Sequence, residues 1–92
     1  MRNVIKGPNV TWIDIEDPKN EDVEYLKKTF GILPLTLKSI TTPEVRSRLE
    51  AHSDYLYLVL HHPVHNKQSK ETRAREIDII ATKDTIITVR LK

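Results

Sequence analysis

Three histidines within five residues are the side chains of this sequence whose type and spacing first suggest chemistry: His61, His62 and His65. Because imidazole is the commonest metal ligand in proteins, the cluster suggests a zinc site and, with it, a small metal-dependent hydrolase. The spacing argues against such a site, since adjacent strand residues point to opposite faces and the chain has no cysteine to complete a tetrahedral set. We expect surface histidines near a strand end, and no enzymatic activity.

Two further groups of side chains have both a chemical and a structural interpretation. Asp14, Glu16 and Asp17 could serve acid–base catalysis only inside a partly dry pocket, so solvated carboxylates at a strand end are the simpler expectation. The basic run over residues 67–75, which Glu71 interrupts, favours a solvated loop. The alternative is a stand-alone binding module in which this loop contacts phosphate or anionic lipid.

The totals point to one small domain. The 92 residues allow a single domain over residues 1–92, and a net charge of +2 is too small to predict a nucleic-acid partner. The chain has no cysteine and therefore no disulfide, which fits a reducing compartment. No apolar run approaches the ~20 residues that cross a bilayer, so we expect this chain by itself to be soluble.

Two short helices must follow one another closely in the first half of the chain. The apolar spacing predicts a helix over residues 21–30, with Asn20 as its N-cap and Gly31 just after its end. Pro34 suits the first turn of a second helix over residues 34–41. The glycine and the proline therefore predict a sharp corner between two helices.

The remaining segments have the composition of strands. Trp12 and a stripe of alternate leucines, Leu56, Leu58 and Leu60, are expected in the core, and Pro63 is expected to end its strand before a loop over residues 64–75. Val4 and Ile5 could add a short edge strand. These features predict an α+β fold, a mixed β-sheet of about five strands with two short helices packed on it; the predicted strands cover 10–15, 46–52, 55–60, 76–82 and 85–91.

The order of several segments is similar to that of one known family. The chain resembles the N-terminal cytoplasmic domain of CorA-type magnesium (divalent cation) transporters from about residue 10 to residue 91. Related zinc transporters share this domain, so the sequence leaves the ion open among Mg²⁺, Co²⁺, Ni²⁺ and Zn²⁺. The similar segments are WIDIEDP at 12–18, FGILPLTL at 30–37, Arg46, Leu49-Glu50, DYLYLVL at 54–60 and IITVR at 86–90.

The resemblance implies an α/β/α domain that belongs to a larger membrane protein. In the family this domain is followed by a long stalk helix and two transmembrane helices, and the whole assembles as a homopentamer. Those parts and the family's Gly-Met-Asn signature are not in this sequence, whose only methionine is Met1. We therefore expect a fragment that does not transport ions alone, located at the cytoplasmic face of the cell membrane. Its expected partners are its own missing stalk and transmembrane helices and neighbouring subunits.

The family's domain is a regulatory one, in which divalent cations bridge acidic side chains of neighbouring subunits. Where the family carries a Glu-Asp pair at the end of the second helix, this chain has Lys38 and Ser39; Leu33 and Ser47 also depart from the family pattern. One hypothesis makes Lys38 a fixed charge that pairs with a neighbour's carboxylate. The other assigns Glu44 to a weak metal site. No cofactor is expected to bind tightly, and at most Mg²⁺ or another divalent cation binds weakly.

Overall fold

The computed structural model describes residues 1–43, 46–68 and 71–91, with the backbone alone for residues 64–66 and 71–74. Two helices and six strands form an α+β fold, one strand more than the five expected. The elements in chain order are β1 (Arg2–Lys6), β2 (Thr11–Glu16), α1 (Asn20–Phe30), α2 (Pro34–Ile40), β3 (Arg48–Ala51), β4 (Leu56–Asn66), β5 (Glu71–Ala81) and β6 (Thr85–Arg90).

All six strands belong to one mixed sheet in the order β1-β2-β6-β5-β4-β3. β2 and β6 are parallel, and the other neighbours are antiparallel. β2 therefore lies inside the sheet, between β1 and β6, as apolar residues on both of its faces indicate. β1 and β3 form the two edges.

The predicted corner between the two helices is confirmed, but the residue predicted to cap the start of α1 is wrong. α1 begins at Asn20 and its N-cap is Lys19, whose backbone N–H donates to Asp22 Oδ2 at 3.0 Å, so the expectation of an Asn20 cap was wrong. Gly31 ends α1 in the left-handed region at φ 63°, where a residue without Cβ costs least. Pro34 opens α2, and its missing N–H leaves no helical bond unmade.

The core lies between the two helices and one face of the sheet. On β4 this face carries Tyr57 and Val59, and the buried Tyr55 precedes them; the leucine stripe points the other way, so its assignment to the core was wrong. Alternate residues on β2, β5 and β6 complete this face, and α1 and α2 cover it. The other buried apolar residues are Ile13, Ile15, Leu26, Ile32, Leu37, Ile40, Ile80, Ile87 and Val89.

The opposite face of the sheet, called here the second face, is apolar and exposed. Trp12 lies beside Ile86 in the register of β2 and β6 and is 44% exposed, which contradicts its expected place in the core. Leu60 is 43% exposed on the same face. α1 and α2 both pack on the core side, so the described residues form two layers of the three that the resemblance implies.

β4 and β5 form a long hairpin that the sequence did not predict. Their eleven residue pairs run from Leu56 opposite Ala81 to Asn66 opposite Glu71. The strand end expected at Pro63 and the loop expected over residues 64–75 were therefore wrong. β3 pairs only with residues 56–59 of β4, so Pro63 lies where β4 has become an edge, and an edge strand tolerates proline.

Candidate functional site

Lys38 and Ser39, the two residues that depart from the family pattern, lie in the last turn of α2 and face different surroundings. The Lys38 side chain is exposed, whereas Ser39 is half-buried. Arg48 Nη2 donates a hydrogen bond to Ser39 Oγ at 3.2 Å, which joins the end of α2 to the edge strand β3. Ser39 therefore holds the helix to the sheet, and Lys38 is the residue available to a partner.

The contact from Ser39 continues along β3 through three side chains, called here the β3 polar chain: Arg48, Glu50 and His52. Arg48 Nε donates to Glu50 Oε2 at 2.6 Å, and Glu50 Oε1 lies 3.1 Å from His52 Nε2. The hydrogen bond from Arg48 is the main reason that the pKa of Glu50 is lowered from its ordinary value, and the hydrogen bond with His52 lowers it further against the opposing effect of burial. Glu50 is thus held as the carboxylate.

Tyr55 attaches the first turn of α2 to the same region. Its hydroxyl lies 2.8 Å from Thr36 Oγ1 and accepts the backbone N–H of Leu33 at 3.3 Å. Its ring lies beside that of His52, with the centroids 4.7 Å apart. α2 is therefore held at both ends by residues 48–55, so a force on the Lys38 surface acts on β3 and the start of β4.

An open cleft lies beside this attachment, where the corner between the helices meets the turn before β4. Its volume is about 300 Å³. His52, Asp54 and Tyr55 are the titratable residues in its wall, and Asp54 is exposed. Its polar side chains are those of the turn itself, and the described geometry gives it no set of convergent charges.

The described residues at the end of α2 do not fit a magnesium site. Mg²⁺ takes oxygen ligands, preferably carboxylates, whereas Lys38 brings a positive charge and the Ser39 hydroxyl is already bonded to Arg48. Glu44, the carboxylate predicted for a weak metal site, lies outside the described residues. Over 1–43, 46–68 and 71–91, no group of three His, Asp or Glu side chains is arranged to hold a metal ion.

The histidines of β4 are separated as their strand positions indicate. His61 Nδ1 lies 2.9 Å from Ser47 Oγ, and its Nε2 lies 3.9 Å from Glu76 Oε1. His62 is opposite Arg75 in the β4–β5 register and is exposed. As adjacent residues of one strand, His61 and His62 lie on opposite faces of the sheet. The side chain of His65 is outside the description. His61 therefore has partners inside the chain that account for it without a metal.

The carboxylates at the end of β2 form ion pairs at the surface. Arg90 Nη2 lies 2.9 Å from Asp14 Oδ2 and 3.7 Å from Glu16 Oε2, and Thr88 donates to Asp14 at 2.8 Å. Lys19 Nζ pairs with Asp17 at 3.0 Å. These residues join β2 to β6 and to the start of α1, as expected of solvated carboxylates rather than of an acid–base pair.

Sequence reasoning missed the β3 polar chain, although a signal for it was present. Arg48, Glu50 and His52 alternate with Leu49 and Ala51, so the period of a strand places all three on one face. A strand with a basic, an acidic and an imidazole group along one face predicts neighbouring ion pairs. The contact with Ser39 could not be predicted, because it depends on how α2 packs against β3.

The elements and contacts above define an α+β domain with two helices on a mixed six-stranded sheet, in which Lys38 is exposed in the last turn of α2. A family model for CorA-like Mg²⁺ transporter proteins matches residues 8–92. The chain belongs to this family.

Two similar proteins are transporters that are much longer than this chain. The magnesium transporter ALR2 of Saccharomyces cerevisiae is 32% identical over 77 residues, which are 83% of this chain and 9% of that protein. The cobalt/magnesium transport protein CorA of Thermotoga maritima is 30% identical over 78 residues, 84% of this chain and 22% of that protein. The chain therefore spans a small part of the relatives that it matches.

Solved structures show the same fold. The soluble domain of CorA from Methanocaldococcus jannaschii aligns with a TM-score of 0.67 at 23% identity, covering 88% of this chain and 31% of that one. The full-length CmaX protein aligns with a TM-score of 0.72 at 17% identity, covering 94% of this chain and 27% of that one. In the part of the chain that the structure describes, neither helix has the length and apolar character needed to span a bilayer.

Proposed function

We propose that this chain is the cytoplasmic regulatory domain of a CorA-like divalent-cation transporter and that it neither conducts ions nor catalyses a reaction by itself. The observation that carries the proposal is the family match over residues 8–92. The fold shared with the soluble domain of CorA supports it. Permeation would then belong to stalk and transmembrane helices of a longer protein that assembles as a homopentamer.

The second face of the sheet supports a role inside a larger protein. Four residues lie side by side across this face in register, in the order Trp12, Ile86, Ala81 and Leu56. Trp12, Ile86 and Leu56 are exposed. A contiguous exposed apolar surface is typical of an interaction site. We assign this face to contact with the remaining parts of the transporter, including its stalk helix.

The domain would respond to its neighbours through the end of α2. In this proposal Lys38 supplies a fixed positive charge that pairs with a carboxylate of the adjacent subunit, in place of a cation held between acidic side chains. One exposed pair contributes only about 0–1 kcal/mol, so its effect depends on repetition around the ring. Ser39 and Tyr55 would transmit the contact to β3 and β4, since they hold the two ends of α2.

The alternative at this surface is a weak cation site that uses Glu44 with ligands from other parts of the protein. Calorimetric titration of Mg²⁺ into the complete cytoplasmic region distinguishes the two hypotheses. The fixed-charge proposal predicts that the Glu44→Ala variant gives the same heats as the parent protein. Millimolar binding that disappears in Glu44→Ala would instead assign the metal site to that carboxylate.

The matched variant for this titration is Lys38→Glu, which restores a carboxylate at a position where the family is acidic. Removing the positive charge and adding an oxygen ligand should allow Mg²⁺ to bind between subunits. The titration of this variant should then show a heat of Mg²⁺ binding that the parent protein does not show. Lys28→Glu makes the same change on α1 and should give no such heat. Equal titrations for the two variants would contradict the assignment of Lys38 to the subunit contact.

The gene itself gives an independent test of the proposed function. Beyond codon 92 we expect a coding sequence for a long helix, followed by two apolar segments of about 20 residues. A stop codon at that place in the natural gene would contradict the proposal, because the chain would then have no transporter to regulate.

A further inference from the structure

The edge strand β3 has backbone groups that point away from the sheet. The N–H of His52 donates to the carbonyl oxygen of Tyr55 at 2.9 Å, so at His52 the backbone groups point toward β4. Because this direction alternates along an antiparallel strand, Leu49 and Ala51 turn their N–H and C=O groups away from β4. These groups lie where the described sheet ends, and such an edge is a template for a further strand.

The side chains of β3 divide between a charged face and an apolar face. Leu49 is 63% exposed on the second face of the sheet. Arg48 and Glu50 flank it in the sequence, lie on the core face and are half-buried, so both remain partly open to a strand placed beside them. Their charges are opposite. The order of charges about Leu49 is therefore complementary to the same strand running in the reverse direction.

This charge order selects one register for the pairing of β3 with β3 of a second copy. When the two-fold axis of an antiparallel pair lies at Leu49, Arg48 of each copy is opposite Glu50 of the other. The two Leu49 side chains then meet on the second face. Opposite charges across neighbouring strands stabilise such a pair, and like charges destabilise it. Registers centred on Arg48 or on Glu50 would set two like charges against each other at the axis.

The other edge of the sheet, β1, does not have this complementarity. The N–H of Gly7 donates to the carbonyl oxygen of Val10 at 2.8 Å, so alternation along β1 turns the backbone groups of Arg2, Val4 and Lys6 outward. Antiparallel pairing of two β1 strands about their middle residue, Val4, would set Arg2 opposite Lys6 at both ends. Like charges oppose that pairing, so the charge pattern favours β3 as the edge that joins two copies.

We propose that β3 docks a second copy of this chain by antiparallel β3–β3 pairing centred on Leu49, which makes one continuous sheet of the two. The same surface is used on both copies, so the contact is isologous and closes with two of them. It goes beyond the proposed function, because a two-fold contact is not the one that repeats around a homopentamer. It joins two copies that are not neighbours in one ring.

Sedimentation equilibrium of the 92-residue chain, with a chelator present to remove divalent cations, tests this contact. We expect a monomer–dimer equilibrium. Leu49→Pro removes an outward N–H and leaves the bonds between β3 and β4 in place, because those use the alternate residues; it should abolish the dimer. Val4→Pro removes an outward N–H at the other edge and is the matched control, which should dimerise as the unchanged chain does. Circular dichroism shows whether each variant keeps the fold.

Charge exchange between the copies provides the decisive arm. Arg48→Glu alone and Glu50→Arg alone each set like charges opposite one another in both symmetry-related pairs. Each should lower the association constant about tenfold, because an exposed pair changes it up to about fivefold. An equimolar mixture of the two variants should associate as the unchanged chain does, since every pair in the mixed dimer is again of opposite charge. Damage to the β3 polar chain inside one copy would not be repaired by mixing.

Two results would overturn the contact. One is a chain that stays monomeric, or one that associates equally in the Leu49→Pro and Val4→Pro variants. The other is a mixture of Arg48→Glu and Glu50→Arg that associates no more strongly than either variant alone. Neither result bears on Mg²⁺ binding or on the charge of Lys38 at the end of α2, so the proposed regulatory function is tested separately.

Discussion

Lys38 and Ser39 are neighbours in the sequence, yet the structure gives them separate tasks. Ser39 is bonded to Arg48 and belongs to the contacts that hold α2 on the sheet, whereas the Lys38 side chain is exposed. The sequence identified this pair as a departure from an acidic pattern but could not tell which residue faces outward. For a helix of only seven residues, the outward-facing residue can be identified only once the packing of the helix on the sheet is known.

The β3 polar chain predicts a small dependence of stability on pH. The lowered pKa of Glu50 means that its bonds with Arg48 and His52 stabilise the fold above its ordinary pKa of 4.5, and that this contribution is lost as pH falls through the lower, folded-state pKa. The Glu50 side chain is 38% exposed, so solvent screening limits the contribution to about 0.5 kcal/mol. The variant Glu50→Gln should lose this amount at pH 7.

Urea unfolding at pH 7 and at acidic pH checks this prediction. The free energies of unfolding of the parent chain and Glu50→Gln should differ at pH 7 and converge as the pH falls below the folded pKa. The exposed Glu24→Gln is the control and should show no comparable convergence. A difference for Glu50→Gln that grows on acidification would contradict the assigned sign.

At the scale of elements, the points where helices end and begin could be predicted from the sequence, whereas the face of each strand that is buried could not. Gly31 and Pro34 fix the corner between α1 and α2, because one suits a left-handed helix end and the other a first turn. β4 has apolar side chains on both faces, so its sequence does not show which face the helices cover. The outer part of the β4–β5 hairpin was missed because its polar composition resembles a loop and because Pro63 usually ends a strand.

The assignment of faces on β4 predicts opposite outcomes for two adjacent residues. Val59→Ala should destabilise the chain by about 2 kcal/mol, because Val59 is fully buried between the sheet and the helices. Leu60→Ala removes a larger side chain from the exposed second face and should change the free energy of unfolding by no more than about 0.5 kcal/mol. Urea unfolding of both variants measures this.

A larger loss of stability in Leu60→Ala than in Val59→Ala would show that the leucine stripe, and not Tyr57 and Val59, forms the core. Circular dichroism of the folded baselines serves as the control for both variants. The comparison is sharp because the residues are consecutive, so their strand and their solvent conditions are the same.

At the scale of the whole molecule, the two faces of the sheet differ in what covers them. The core face is closed by α1 and α2, and the second face is apolar and exposed. In the described residues the helices cover one side of the six-stranded sheet, which explains why large apolar side chains such as Trp12 and Leu60 are exposed on the other side. The exposed second face supports the proposal that the domain belongs to a larger protein.

The most direct test of the central claim is ion uptake by a longer transporter that contains this domain, measured at low and high cytosolic Mg²⁺. The account predicts that Lys38→Glu removes the fixed charge between subunits, raises uptake at low Mg²⁺ and makes uptake fall as Mg²⁺ rises. Lys28→Glu, an equal change on α1, should leave uptake as it is in the parent protein. If Lys38→Glu and Lys28→Glu gave the same uptake at both concentrations, the regulatory role of the α2 surface would be contradicted.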